Sequence, residues 1–183
     1  RGFEPVGSLA THFTGNLNGN NYTISNLAIN RGASSQVGLF GHMSNNFISG
    51  IESIRFCGAN IVGGNDVGVV AGSSFNSQVI LIDVQGSVTG NQRVGGQVGA
   101  ANQLFMQGTS TNASVRGSEM VGGSIGEGID TTVHVSYSTG SVEATTRLGG
   151  GLAGVMRSSH LNDVYSRASV SSPDTITTGG LIG

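Results

Sequence analysis

Residues 94–99 read VGGQVG, and the chain repeats this glycine-rich block at nearly constant intervals. Related blocks begin at residues 37, 67, 94, 121, 149 and 178, so successive starts lie 30, 27, 27, 28 and 29 residues apart. A fixed period of this length is the signature of an architecture built from stacked, similar units. The blocks read VGLFG at 37–41, VGVVAG at 67–72, VGGQVG at 94–99, VGGSIG at 121–126, GGGLAG at 149–154 and TGGLIG at 178–183.

Three further columns of residues keep the same period between the blocks. Within one period the chain alternates apolar and polar residues with period two, as at 133–137, and this pattern is typical of a short strand and not of a helix. The columns are Ile61, Val88, Val115, Val142 and Val170; the small residues Ala59, Gly86, Ala113, Gly140 and Ala168; and Val79, Met106, Val133 and Leu161.

A period of about 27 residues accommodates three strands of about five residues and three tight turns. Stacked units of this kind place equivalent residues about 4.8 Å apart. The sequence therefore predicts an all-β fold, a parallel β-solenoid (β-helix) of five to six coils, right-handed by the usual rule for parallel crossovers. We expect one domain over 1–183, with an irregular N-terminal cap coil at 1–36 and repeats at 37–183. Because the chain begins with Arg1, we expect a fragment of a longer array.

Composition excludes several classes of protein. The 183 residues include 32 glycines, eight arginines and no lysine, and the formal net charge is −2. A hydrophobic fraction of 37% argues against disorder, and the absence of a basic stripe argues against nucleic-acid binding. The longest apolar runs, such as 79–82, are far shorter than the roughly 18 residues of a membrane span. The lone Cys57 is expected to be a buried, inert thiol, with a reactive or intermolecular thiol as the alternative.

The blocks resemble the GLUG motif, whose core is glycine, leucine, any residue, glycine. The stretch FTGNLNGNNYTISNLAIN at 13–30 is similar to the usual beginning of such arrays, and the resemblance covers nearly the whole chain. The second block departs from the motif, and Gln97 and Ser124 replace the leucine, which we interpret as conservative changes beside a turn. The resemblance implies a secreted bacterial surface protein, as in filamentous-haemagglutinin-like adhesins and non-catalytic regions of immunoglobulin A1 proteases. It implies no catalytic residues.

Several motifs of enzymes and metal sites occur in the chain, but each is better explained by the repeat. The hydrolase pattern G-x-S-x-G at 122–126 and the dinucleotide pattern at 149–154 both lie in repeat blocks without a following helix. The calcium-like stretch 63–66 is incomplete and does not recur. The histidines lack metal-ligand spacing: His12, His42, His134 and His160. We therefore predict no catalytic residues, no cofactor-binding residues, no metal ligands and no cofactor.

The favoured function is a structural or adhesive stalk or binding segment of a secreted bacterial surface adhesin, located outside the cell and without enzyme activity. Its partners would be a host or environmental surface ligand (a glycan or a protein) and further coils of the same chain. One alternative is a carbohydrate-active β-helix enzyme that uses Glu127, Asp130 and Asp163. A second alternative is an ice- or surface-binding module, although its threonines do not keep one column: residues 131, 132, 145, 146, 175, 177 and 178.

The period also predicts contacts between coils. Arg116 and Glu143 are 27 residues apart, as are Asp66 and Arg93, so each pair should lie side by side on neighbouring coils. The last coil should present an open strand edge, which favours either further coils or end-to-end self-association.

Overall fold

The computed structural model describes residues 2–45, 50–173 and 177–183, and in these ranges the chain is a stack of parallel β-coils. None of these residues belongs to a helix that could cross a membrane. The strands are β1 (Leu17–Asn18), β2 (Thr23–Ser25), β3 (Ala28–Asn30), β4 (Phe40–Ser44), β5 (Ile51–Val62), β6 (Ala71–Thr89), β7 (Gln92–Gly95), β8 (Val98–Gln107), β9 (Ser110–Gly122), β10 (Ile125–Ile129), β11 (Thr132–Gly150), β12 (Ala153–Arg157), β13 (His160–Ser166), β14 (Ser169–Ser171) and β15 (Thr178–Gly179).

The strand register follows the sequence period. Val88 of β6 pairs with Val115 of β9, and Val115 pairs with Val142 of β11, each in parallel. Val142 in turn pairs with Val170 of β14. Equivalent residues of successive coils are therefore hydrogen-bonded neighbours, and the predicted all-β parallel solenoid is confirmed.

The N-terminal residues join the same ladder. Strands β1, β2 and β3 all pair in parallel with β5, so residues 17–30 form a coil in register with the next one. Before them, Val6 bridges to Phe40 and Phe13 bridges to Met43. The rings of Phe13 and Phe40 stack with centroids 4.4 Å apart, which anchors this segment against the first block.

Each coil bends at three corners, and each corner is a single residue with φ between 46° and 63°. Because one residue makes the bend, the short segments run together into strands as long as the 19 residues of β6 and of β11. The first corner column is Gln36, Asp66, Arg93, Met120 and Leu148; the second is Asn45, Asn76, Gln103, Asp130 and Ser158; the third is Ser53, Leu81, Gly108, Val135 and Asp163.

The five blocks that begin at residues 37, 67, 94, 121 and 149 are buried, and steric crowding explains most of their glycines. A Cβ atom at Gly96 would overlap the carbonyl oxygen of Gly123 in the next coil, and one at Gly123 would overlap that of Gly151. A Cβ atom at Gly99 would overlap the backbone nitrogen of Val67. No side chain fits at these places, because the block turns the backbone through the interior against the neighbouring coils.

The core contains polar side chains that the sequence interpretation placed beside a turn. Gln97 and Ser124 lie in the bend of their blocks, and both are fully or almost fully buried, which the sequence interpretation did not foresee. Thr111 Oγ1 accepts a hydrogen bond from Gln97 Nε2 (2.9 Å) and shares another with Ser124 Oγ (2.9 Å). Gln97 Oε1 has no hydrogen-bond partner among the described residues, although it is buried. The block residues face the core because the block turns inward.

Charged side chains connect neighbouring coils. Six of the seven described arginines form an ion pair with a carboxylate 27 to 30 residues away, and Arg167 lies over the ring of Tyr165. Arg116 and Glu143 approach to 2.6 Å, and Asp66 pairs with Arg93, so both predicted contacts are confirmed. The other pairs are Arg31–Glu4, Arg55–Asp83, Arg147–Glu119 and Arg157–Glu127.

The thiol of Cys57 is exposed, so the prediction of a buried thiol was wrong. Phe56 occupies the core, and the alternation of the strand points the next residue outward. A register shift between Phe56 and Ala59 marks a bulge at this place.

Candidate binding groove

A groove of about 610 Å³ runs along the stack on the face that contains β4, β6, β8 and β10. Three columns of coil-equivalent residues line it, and the N-terminal segment closes one end. One wall is Gln36, Asp66 and Arg93; the floor is His42, Ser73, Ala100 and Glu127; the other wall is Phe75, Asn102 and Ile129; and the closed end is Leu9 and His12.

The repeat block itself creates the groove. The residue just before each block forms the first wall, as Arg93 does, and the residue just after the last glycine forms the floor, as Ala100 does. Between these two residues the backbone of the block folds back on itself, and the last glycine of the block packs against the backbone of the first corner column. Two residues further along the strand, Asn102 lies on the same face as Ala100 and forms the second wall.

The charged residues of the groove are paired with one another. Asp66 accepts a hydrogen bond from Gln36 Nε2 (2.7 Å) and forms an ion pair with Arg93. The hydrogen bond to Asp66 raises the pKa of Arg93, which keeps the guanidinium charged. Glu127 forms an ion pair with Arg157. Each of these two carboxylates thus has an arginine partner, and the charges cancel within each pair.

Two histidines meet at the N-terminal end of the groove. The ring centroids of His12 and His42 are 4.5 Å apart in an edge-on arrangement. His42 Nδ1 is hydrogen-bonded to Ser73 Oγ (2.7 Å), and His12 Nδ1 to Ser44 Oγ (2.8 Å). Burial lowers the pKa of His42, and His12 lowers it further, while Asp66 opposes the shift.

The sequence interpretation did not place these two histidines together. His12 precedes His42 by 30 residues, which equals the first block interval, so the signal was present in the spacing. It was missed because the N-terminal residues were expected to be irregular. His134 and His160 do not meet in this way: His134 pairs in register with Asn162, and its ring lies beside Phe105.

The motifs that resemble enzyme and metal sites have structural partners. The hydroxyl of Ser124 is buried against Thr111, and the glycine run at 149–154 turns through the core. Asp66, in the calcium-like stretch, is bound by Gln36 and Arg93. No group of three histidine, cysteine or carboxylate side chains among the residues of known placement could hold a metal ion.

The three carboxylates considered for a glycan-cleaving site lie at different places along the coils. Glu127 lies in the groove, Asp130 is at the second corner, and Asp163 is at the third corner of the following coil. The second and third corners are about five residues, or roughly 16 Å, apart along the strand. Glu127 is also held by Arg157.

The threonines considered for an ice-binding face are scattered between the surface and the core within the described ranges. Thr131 is buried, its neighbour Thr132 is half-buried, and 145 and 146 lie in a register shift of β11. Residue 175 lies outside the described residues.

Two known proteins are similar to this chain. Halomucin of Haloquadratum walsbyi is 44% identical over 101 residues, which are 54% of this chain and 1% of Halomucin. The crystal structure of a "putative immunoglobulin A1 protease" from Bacteroides ovatus superposes with a TM-score of 0.75 at 19% identity, covering 89% of this chain and 54% of that one. No family model matches the chain. This chain thus spans about half of the solved structure and a small part of Halomucin, and the solved structure shows that the β-solenoid is a fold the two chains share.

Proposed function

We propose that this domain is a non-catalytic spacer and adhesive segment of a large secreted or cell-surface protein, of the GLUG-repeat type. The names of both similar proteins, Halomucin and putative immunoglobulin A1 protease, support a location outside the cell. The glycines of the blocks support the GLUG assignment, because most of them, such as Gly96 and Gly123, fill places where the neighbouring backbone leaves no room.

The observation that carries the proposal is the continuous ladder of ion pairs and hydrogen bonds between coils. A stack in which each coil is bonded to the next along three sides resists bending, as a spacer must. At its C-terminal end, Leu161 and Val170 are half-exposed, whereas their equivalents Val133 and Val142 are buried. Such an apolar end suits the docking of a further coil.

The absence of catalysis is supported by how the groove uses its reactive groups. A general acid or base must be free to exchange a proton with the substrate. Asp66 and Glu127 are instead neutralised by Arg93 and Arg157.

The test is a binding and turnover assay on one set of immobilised surfaces. Wells coated with mucins, polysaccharides or immunoglobulin A1 are incubated with the domain, and the bound domain and any released products are both measured. We expect saturable binding of the domain to at least one surface and no release of sugars or peptides. Release of sugars or peptides would show an enzyme, and failure to bind every surface would remove the adhesive role.

A further inference from the structure

The groove carries no net charge to attract an ionic ligand. Its two carboxylates are paired with Arg93 and Arg157, and the lowered pKa of His42 keeps that imidazole neutral at pH 7. An anionic ligand would have to displace Asp66 or Glu127, and a cationic ligand would have to displace an arginine. Each exchange would leave a charged side chain without its partner. The groove is therefore complementary to a neutral ligand.

The surface of the groove combines an apolar platform with polar groups. Phe75 is 42% exposed and makes no ring stacking contact with a described residue. Beside it, Ala100 provides a methyl floor, and Asn102 follows Phe75 in the same column. The floor spans four coils, or about 14 Å, so it admits a chain of several rings. Exposed aromatic rings and methyl groups pack against the C–H faces of sugars.

The carboxamide of Asn102 is a hydrogen-bonding group of the groove that remains unused. It is half-buried and takes part in no hydrogen bond with the described part of the chain. Ser74, between Ser73 and Phe75, points to the opposite face of the strand, where its ladder neighbours Met43 and Ala101 are buried in the core, so its hydroxyl does not face the groove. A ligand that supplies hydroxyl groups would gain affinity by bonding to Asn102. A polyhydroxylated ligand fits this requirement.

The backbone of the floor argues against an extended peptide. A peptide that adds a strand needs a sheet edge with free N–H and C=O groups. Here β6, β8 and β10 each lie between two parallel neighbours on this face, so their ladder groups are already bonded. Only side chains are available for recognition, which suits a sugar chain better than a peptide backbone.

We propose that the groove binds a neutral oligosaccharide, with Phe75 as the stacking platform and Asn102 as a hydrogen-bonding group. This inference rests on the proposed adhesive function, and it names the ligand class and the site.

The experiment compares an array of cello-, manno- and xylo-oligosaccharides with oligogalacturonates, sulfated glycans and extended peptides. Wild-type domain is tested beside Ala100→Trp, which fills the floor, and Ser114→Trp, which adds the same side chain to an exposed column on another side. Phe75→Ala removes the platform, and Tyr22→Ala removes a ring that is 75% exposed outside the groove. Circular dichroism and melting temperature establish that each variant is folded.

We expect wild type, S114W and Y22A to bind the same neutral oligosaccharides. A100W should lose this binding, and F75A should weaken it by about tenfold or more, as truncation of a central aromatic side chain does. If A100W does not fold, F75A with its control Y22A still decides the matter. Binding that survives A100W and F75A, or binding only of anionic glycans or peptides, would overturn the inference.

The surface assay with the same variants separates this inference from the proposed function. If A100W adheres to surfaces as wild type does, the adhesive function stands and the groove is not its site. If no variant adheres to any surface, the adhesive function falls. If the neutral oligosaccharide binds in the groove and is cleaved, the non-catalytic function falls and the groove remains the binding site.

Discussion

Replacing Gly123 by alanine tests whether the block glycines are required by the neighbouring coil. A Cβ atom at Gly123 would overlap the carbonyl oxygen of Gly151 in the next coil. Gly180 occupies the same position of the last described block, and a Cβ atom there would meet nothing within 4 Å. Neither glycine has a left-handed φ, so backbone conformation does not distinguish them. The pair therefore isolates the effect of stacking.

The size of the effect follows from the hydrogen bonds that must give way. Relief of the overlap separates the coils where Gly123, Ser124 and Ile125 donate to the next coil at 3.3, 2.8 and 3.1 Å. With a net contribution of about 1 kcal/mol for each bond, Gly123→Ala should lower the free energy of unfolding by about 3 kcal/mol. For a chain of this length that is a decrease of roughly 6–12 °C in melting temperature.

Thermal unfolding followed by circular dichroism measures this difference. Gly180→Ala should change the melting temperature by about 2 °C or less, because an alanine in open space and an ordinary conformation has little effect. Equal destabilisation by the two substitutions would refute the steric argument, and so would a Gly123→Ala variant as stable as wild type.

Three other substitutions or conditions should change stability in stated directions. Gln97→Leu should lower the free energy of unfolding by about 1 kcal/mol, because the loss of the two hydrogen bonds from Gln97 Nε2 to Ser110 O and Thr111 Oγ1 outweighs the removal of the unpartnered Oε1; urea denaturation that shows a gain instead would contradict this. Val135→Gly should raise the melting temperature by about 2–4 °C, since a β-branched residue at φ 46° is strained and its column neighbour Gly108 is not; a lower melting temperature would count against the strain. The lowered pKa of His42 means that the folded state favours the neutral ring, so the free energy of unfolding should decline as the pH falls below about 6.5. His42→Gln should reduce this decline, and identical pH profiles for the variant and the wild type would contradict the assignment.

The fold was predictable because stacking imposes equal lengths on the coils. Columns such as Val88, Val115 and Val142 keep their spacing, since an insertion would move each residue to the opposite face. The same reasoning predicted the pair Arg116–Glu143 from its spacing alone. Interactions that connect one coil to the next thus leave a periodic trace in the sequence.

The corners and the groove could not be predicted in the same way. Arg93, Met120 and Leu148 adopt a left-handed conformation although none of these residue types prefers it, so the stack imposes the conformation. The groove depends on the block turning back between Arg93 and Ala100. That turn depends on steric crowding by other coils, which no single stretch of sequence displays. The burial of Gln97 was missed for the same reason.

Release of the surface-bound domain by a soluble oligosaccharide would show that the groove is the adhesive site. Wild-type domain is first bound to the surface that it prefers, and the neutral oligosaccharide with the highest affinity for the groove is then added. We expect the domain to be released in a saturable manner and mass spectrometry to recover the oligosaccharide unchanged. Adhesion that persists at saturating oligosaccharide, or recovery of cleaved sugar, would contradict this expectation.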